Sequence, residues 1–164
     1  MQKELINEIN LYLENEIDLW DLVGEITYYS TVDFNSIKEI VTYLENNESD
    51  EALIVETLLW ALPNSPIRSL TNTTNSFYKF LIDLKKSDDE FYNEEIVWVL
   101  TENHKIIFKK NNLLFIFNDE NYDCEIELPN EYCNTTLHCL NCNEEINVLN
   151  SLNVPAKTFY IIEK

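Results

Sequence analysis

Glycine occurs once in the 164 residues, at Gly24, and arginine once, at Arg68. A lone glycine excludes the G-x-G-x-x-G and Walker-type loops, whose backbones approach phosphate closely or take positive φ. Nucleotide binding of those two kinds is ruled out. Bases are scarce as well: eleven Lys and Arg stand against thirty Asp and Glu, for a net charge of −19. Phosphate neutralisation supplies most nucleic-acid affinity, so direct contact with DNA or RNA is not expected, and a basic protein partner is. No apolar run approaches the roughly 20 residues of a bilayer-spanning helix, so no membrane association is expected. The N-terminal MQKELINEINLYLENE carries acids where a signal peptide has its apolar segment, which points to a cytoplasmic protein. In such a compartment the four cysteines are expected as reduced thiols.

What is present is enough to fold. Hydrophobic residues make up 45% and aromatics 12%, whereas disorder requires low hydrophobicity together with high charge. The chain is organised around Lys105 to Asp119, KIIFKKNNLLFIFND, two apolar runs of strand length about a Lys109-Lys110-Asn111-Asn112 break. That pattern predicts a β-hairpin with both strands substantially buried. Everything before it has mostly helical spacing, and everything after it short or alternating apolar segments.

Leu5, Ile6, Ile9, Tyr12 and Leu13 predict an amphipathic helix over 2–16. A second helix starts at the N-cap Asp18 and turns Leu19, Leu22, Val23 and Ile26 inward, with Gly24 inside it as a mark of close packing by a neighbour. Ile37, Ile40, Val41 and Leu44 give a third. A fourth opens at Ser49, with Asp50 and Glu51 complementing its dipole, and runs through Ile54, Val55, Leu58, Leu59 and Leu62 to Pro63. Starts near 18, 34 and 50 fit either stacked helical hairpins or a plain bundle. A turn at Pro63–Pro66 and a polar loop over 69–75 precede a fifth helix on Phe77, Phe80, Leu81 and Leu84, and acidic 87–95 is the junction. Strands are expected at 96–100, 124–128, 135–140, 146–149 and 158–162 besides the hairpin. The fold class is therefore α+β: N-terminal antiparallel helical hairpins, about five helices, then an antiparallel β-sheet or small sandwich. The helical half spans 1–95 and the β half 96–164, packed as one unit.

Motifs of chemistry are thin. Cys133, His138, Cys139 and Cys142, with Cys124 nearby, are the only set of metal-ligand types, and Cys139-x-x-Cys142 is the only paired spacing. The gap from Cys133 to Cys139 does not fit a knuckle, and His138 and Cys139 point to opposite faces of one strand. They read as structural thiols, with no metal or cofactor expected. His104, in the turn Thr101–His104, has no partner identifiable in the sequence, and Trp20, Trp60 and Trp98 sit in apolar segments and read as core. No catalytic constellation is expected.

Charge carries more information. Residues 1–103 hold 21 acids and six bases, or −15, and residues 104–164 nine and five, or −4. Glu14, Glu16, Asp18, Asp21 and Glu25 lead into the second helix. Glu45, Glu48, Asp50 and Glu51, with Glu56, surround the start of the fourth. Together they are the candidate binding residues for a basic partner, as a negative strip that speeds association and disfavours wrong partners.

This profile over Ile17–Leu62, short helices before a β portion with acidic bias, resembles the small immunity proteins that bacteria make against their own toxins, and phage anti-defence inhibitors. The group shares a role rather than a motif, so the resemblance implies neutralisation of a toxin or nuclease-like effector without assigning residues. Separately, SFYKFLIDLKK (Ser76–Lys86), NNLLFIFND (Asn111–Asp119), IELP (Ile126–Pro129) and VPAKTFYIIEK (Val154–Lys164) are similar, in order, to the last barrel helix and C-terminal β domain of α-amylase-type glycoside hydrolases. That resemblance implies a fold for 76–164, with no counterpart of the catalytic carboxylate regions. The expected function is a non-catalytic acidic inhibitor; the alternative is a carbohydrate-related accessory protein or degenerate hydrolase fragment.

Overall fold

The computed structural model describes residues 2–28, 34–47, 49–61, 80, 83, 84 and 95–163. They form an α+β chain that divides into two compact units, Met1–Asn93 and Glu94–Lys164.

In the first unit, α1 (Gln2–Leu13) buries Leu5, Ile9 and Tyr12. It stops three residues short of the expected end because Asn15 takes a left-handed φ of 60°. There the Glu16 N–H donates to Leu11 O at 2.8 Å and the Asn15 N–H to Tyr12 O at 2.9 Å, the double closure of a Schellman cap. Helix α2 (Leu19–Tyr28) starts where its cap predicts: Asp18 Oδ1 accepts from the Asp21 N–H at 2.9 Å, and Leu19, Leu22, Val23 and Ile26 are buried. Gly24 differs from expectation. It faces open space, with nothing within 4 Å of the position a Cβ would take.

Helix α3 (Phe34–Glu45) turns Ile40, Val41 and Leu44 inward, and α4 (Asp50–Ala61) is capped by Ser49, whose Oγ accepts from the Ala52 N–H at 3.1 Å. α4 packs against α1, α2 and α3. A helix with neighbours on so many sides cannot keep a wet face, which is why the single stripe read from the sequence understates it. Ala52, Glu56, Thr57, Trp60 and Ala61 are buried alongside Ile54, Val55, Leu58 and Leu59. The packing is that of a small bundle about α4. Leu62, the Pro63–Pro66 turn, the polar loop over 69–75 and most of the fifth helix and acidic junction lie outside the described residues; Phe80, Asp83 and Leu84 are helical.

The second unit is an antiparallel six-stranded sheet and a two-stranded one. Its strands are β1 (Val97–Thr101), β2 (Lys105–Lys110), β3 (Leu113–Asn118), β4 (Cys124–Glu127), β5 (Thr135–Cys139), β6 (Glu144–Val148), β7 (Ser151–Val154) and β8 (Thr158–Glu163). The large sheet runs β1-β2-β3-β8-β5-β6, and β4 pairs with β7. The β2–β3 hairpin keeps register from Lys105↔Asn118 to Lys110↔Leu113, so the turn shrinks to Asn111-Asn112, with Asn111 at φ 55°.

Register assigns the faces. Ile107, Leu114, Ile116, Leu137, Val148 and Ile162 of the large sheet share one cluster with Cys124, Ile126, Leu128, Leu152 and Val154 from β4, β7 and their ends. The opposite face of β2, β3 and β8 is aromatic. Phe108 stacks on Phe115 at 4.8 Å, Phe117 on Phe159 at 5.8 Å, and Trp98 meets Phe108 edge-on at 5.4 Å. Burial of both faces explains why these strands read as continuous apolar runs.

Candidate functional site

The outward face of α2 follows from its inward one. With Leu19, Leu22, Val23 and Ile26 facing in, helical geometry aligns Trp20, Gly24 and Tyr28 at four-residue steps on the outside. Trp20 is 36% exposed and Tyr28 77%, so the reading of Trp20 as core is corrected. Its position off the apolar stripe was the available signal. Trp60 is fully buried as expected, and Trp98 is 38% exposed. Asp21 is exposed beside this row, and Glu25, four residues on from Asp21, is half-buried. Glu14 and Glu16 are exposed in the turn that leads to α2. Asp18 is half-buried and committed to its cap. The result is an aromatic row edged with carboxylates.

The second acidic group divides. Glu48 lies outside the described residues. Asp50 is exposed, and Glu51 is half-buried in the first turn of α4. Glu45, the last residue of α3, is half-buried with Oε1 enclosed and without a hydrogen-bond partner. Glu56, counted from the sequence among the outward acids, is 1% exposed, and its Oε2 is likewise without a partner. Glu45, Asp50 and Glu56 line a cavity of about 230 Å³ together with Leu44, Asn47, Ser49, Ala52 and Leu53. Burial first, and the Glu45 charge second, push the Glu56 carboxyl up to about 7. The structure thus brings Glu45 and Asp50 together with Glu56, while Glu14, Glu16, Asp18, Asp21 and Glu25 belong to the α1–α2 stretch. What marked Glu56 in the sequence was α4 itself, apolar on every side around it.

In the β unit, His104 Nδ1 lies 3.4 Å from Asp119 Oδ2, a carboxylate partner that the sequence did not reveal. Asp119 is 4% exposed and its Oδ1 accepts from Lys157 Nζ at 3.0 Å. The Asp119 N–H also donates to His104 O at 2.7 Å, and the Lys157 N–H to Glu120 O at 3.1 Å. The triad ties the ends of the β2–β3 hairpin to the turn before β8. Beside it the fully buried Asn118 donates through Nδ2 to Tyr122 O, Val154 O and Pro155 O at 3.1, 2.9 and 2.9 Å, and accepts the Glu120 N–H through Oδ1 at 3.1 Å.

The cysteines depart from the expectation of four reduced thiols. Cys139 and Cys142 form a disulfide across the β5–β6 turn, with Cα atoms 5.6 Å apart, while Cys124 and Cys133 are free. A four-residue turn closing a hairpin brings the two side chains within bonding reach. Cys133 directs Sγ toward Leu128 O, Pro129 O and Asn150 O at 3.6, 3.6 and 3.8 Å. His138 is exposed on the face opposite the buried Cys139. Among the described residues no group of three or more His, Cys, Asp or Glu is arranged to hold a metal ion, and no helix is long and apolar enough to cross a membrane.

No family model matches the chain, and no curated protein matches it. Among solved structures it is similar to a hypothetical maltooligosyl trehalose synthase of Sulfolobus tokodaii, at 19% identity and a TM-score of 0.44, over 73% of this chain and 13% of that one. It is also similar to the type III pullulan hydrolase from Thermococcus kodakarensis, at 17% and 0.46, over 71% and 24%, and to an Anoxybacillus α-amylase, at 12% and 0.45, over 57% and 24%. The chain spans a quarter or less of the length of these proteins. All three are weak matches to glycoside hydrolase or maltooligosyl trehalose synthase chains, and none of the three is an immunity protein. Likeness at this level carries no argument about activity.

Proposed function

We propose that this protein is a non-catalytic acidic inhibitor that captures a basic protein partner through the outer face of α2, as an immunity protein or anti-defence inhibitor does. The observation that carries the reading is the row Trp20, Gly24 and Tyr28 with Asp21 and Glu25 beside it. Large exposed aromatics supply lasting affinity at interfaces, and carboxylates around them raise the association rate with a basic surface. Gly24 leaves a shallow step between the two rings, since nothing stands within 4 Å of its missing Cβ. A partner's side chain can rest in that step. Glu14 and Glu16 extend the negative field toward the turn, and Asp50 and Glu51 add to it from α4.

The test compares the wild-type protein with a Glu16→Lys/Asp21→Lys/Glu25→Lys triple variant and with Trp20→Ala, each immobilised and exposed to lysate of the native host. Asp18 is left intact because it caps α2. The expected result is one basic protein released from the wild type at elevated salt, lost from the triple variant and weakened on Trp20→Ala, with thermal stability nearly unchanged in the triple variant. Equal retention on all three surfaces would sink the proposal. Retention on an α-glucan column in place of a protein partner would favour the carbohydrate-related alternative.

A further inference from the structure

We propose that the Cys139–Cys142 bridge is a reversible dithiol–disulfide switch: a dithiol reductant opens it in the folded protein, and opening loosens the seam that holds β5 and β6 to β8. The bridge encloses two residues of the β5–β6 turn, Leu140 and Asn141. Its two sulfurs stand in opposite settings. Cys142 is exposed in the turn, whereas Cys139, at the end of β5, is 0% exposed. An incoming thiolate therefore has access to Cys142 Sγ and leaves Cys139 Sγ as the departing sulfur.

The enclosed residues are what fasten the seam. Among the described residues the β5–β8 ladder has two register pairs, His138↔Glu163 and Cys139↔Ile162, against six between β3 and β8. Past Cys139 the turn itself continues the ladder. The Leu140 N–H donates to Ile161 O at 2.8 Å, Asn141 Oδ1 accepts the Ile161 N–H at 2.7 Å, and Asn141 Nδ2 donates to Phe159 O at 3.0 Å. In the large sheet β6 joins through β5, so this seam holds both strands. Cys139 Sγ also lies 3.4 Å from Asn141 Oδ1. A disulfide sulfur has no proton to give, but the Cys139 thiol formed on reduction can donate there. The oxygen that anchors β8 in the oxidised form is thus the acceptor within reach of the reduced one, where the thiol competes with the Ile161 N–H for it.

In the exchange, one thiolate of the reductant bonds to Cys142 Sγ, the bond between the two Sγ atoms breaks, and Cys139 Sγ leaves with the electron pair and takes a proton. The reductant's second thiolate then attacks its own sulfur in the mixed disulfide, closing the reductant's disulfide and releasing Cys142, which also takes a proton. Two electrons and two protons pass to the protein. Without the bridge the turn regains freedom in its open state, so the seam opens more often. The switch lies within the β unit and stands without the α2 reading.

The experiment treats the folded, isotopically labelled full chain with oxidised glutathione, then with dithiothreitol, then with oxidised glutathione again. Alkylation and peptide mapping identify the free thiols at each stage, and amide hydrogen exchange is followed at Leu140, Ile161 and the β2–β3 hairpin. Cys139 and Cys142 should be bridged, free and bridged again, with native hairpin amide shifts throughout. In the reduced sample the Leu140 and Ile161 amides should exchange about tenfold faster or more, the order of effect that closing a short loop supplies, and by a larger factor than the hairpin amides. In Asn141→Ala the Ile161 amide has lost its acceptor and should exchange fast at every stage. Free Cys139 and Cys142 after the first treatment, a bridge that opens only on denaturation, or equal acceleration across the sheet would overturn the proposal. So would an Ile161 amide that responds to dithiothreitol in Asn141→Ala as it does in the wild type.

Discussion

Single residues carry an unusual share of the local geometry because the chain has almost no glycine. Left-handed positions fall instead to Asn15, Asn111, Asn134 and Asn143, with φ between 55 and 60°, and to Lys157 at 52°. Asparagine tolerates this region better than other residues with a Cβ, since its short amide bonds locally. Asn15→Ala should therefore cost about 1 kcal/mol by straining the α1 cap, read as a lower denaturation midpoint. Asn118 is a stronger case. Its amide satisfies three carbonyls and one N–H within the buried end of β3, so Asn118→Ala should destabilise by roughly 3 kcal/mol, measured by urea unfolding. The sequence did not expose Asn118, because two of its carbonyl partners, Val154 and Pro155, lie 36 and 37 residues away. Glu56 makes a prediction of opposite sign. Its folded carboxyl titrates at about 7 against 4.5 for the free side chain, so the folded state holds the extra proton between those values. The stability this gives is complete below about pH 4.5 and is lost as pH rises through about 7, on the order of 3 kcal/mol. Glu56→Gln should remove this slope, with a denaturation midpoint above wild type at pH 8 and near it at pH 5.

Among the elements, those with local signals were legible and those defined by neighbours were not. Asp18 and Ser49 each announced a helix start and each accepts the N–H three residues on. The KIIFKKNNLLFIFND hairpin holds its full register, and the alternation of Cys124 to Leu128 matches strand β4. Strand β7, Ser151–Val154, was missed because four residues with Ser and Asn among them carry too little periodicity; its partner β4 defines it through Cys124↔Val154 to Glu127↔Ser151. The insertion of β8 between β3 and β5 is likewise a property of pairing, invisible to local pattern. Of the candidate site, the acids could be read from the sequence, but not which side of each helix they occupy relative to a central α4. Helix α2 offers a direct check of one misreading. Gly24 has open space where a Cβ would lie and no positive φ, so the close packing inferred from it is absent. Gly24→Ala should then recover most of the helix penalty of glycine, raising stability by about 0.5–1 kcal/mol in thermal or urea unfolding. A loss in place of a gain would mean that the α2 surface is covered.

At the scale of the whole molecule, thirty acids against eleven bases make charge the dominant long-range term. That charge acts on two processes with opposite signs. Repulsion among carboxylates opposes the compact state, and the same field draws a basic partner in. Salt screens both, because the Debye length falls from about 30 Å at 0.01 M to about 10 Å at 0.1 M ionic strength. Across that range the melting temperature of the free protein should rise by about 3 °C, the shift that on the order of 1 kcal/mol produces in a chain of this size. Over the same range the association rate with a captured basic partner should fall about tenfold or more, while the dissociation rate, set by Trp20, Tyr28 and their contacts, changes little. Calorimetry and stopped-flow mixing at the two salt concentrations measure these separately. A melting temperature that rises with salt while the association rate stays flat would show that the acids only repel one another and that the aromatic row of α2 has no electrostatic role in recognition. Falling association with little change in dissociation would tie the net charge of −19 to capture.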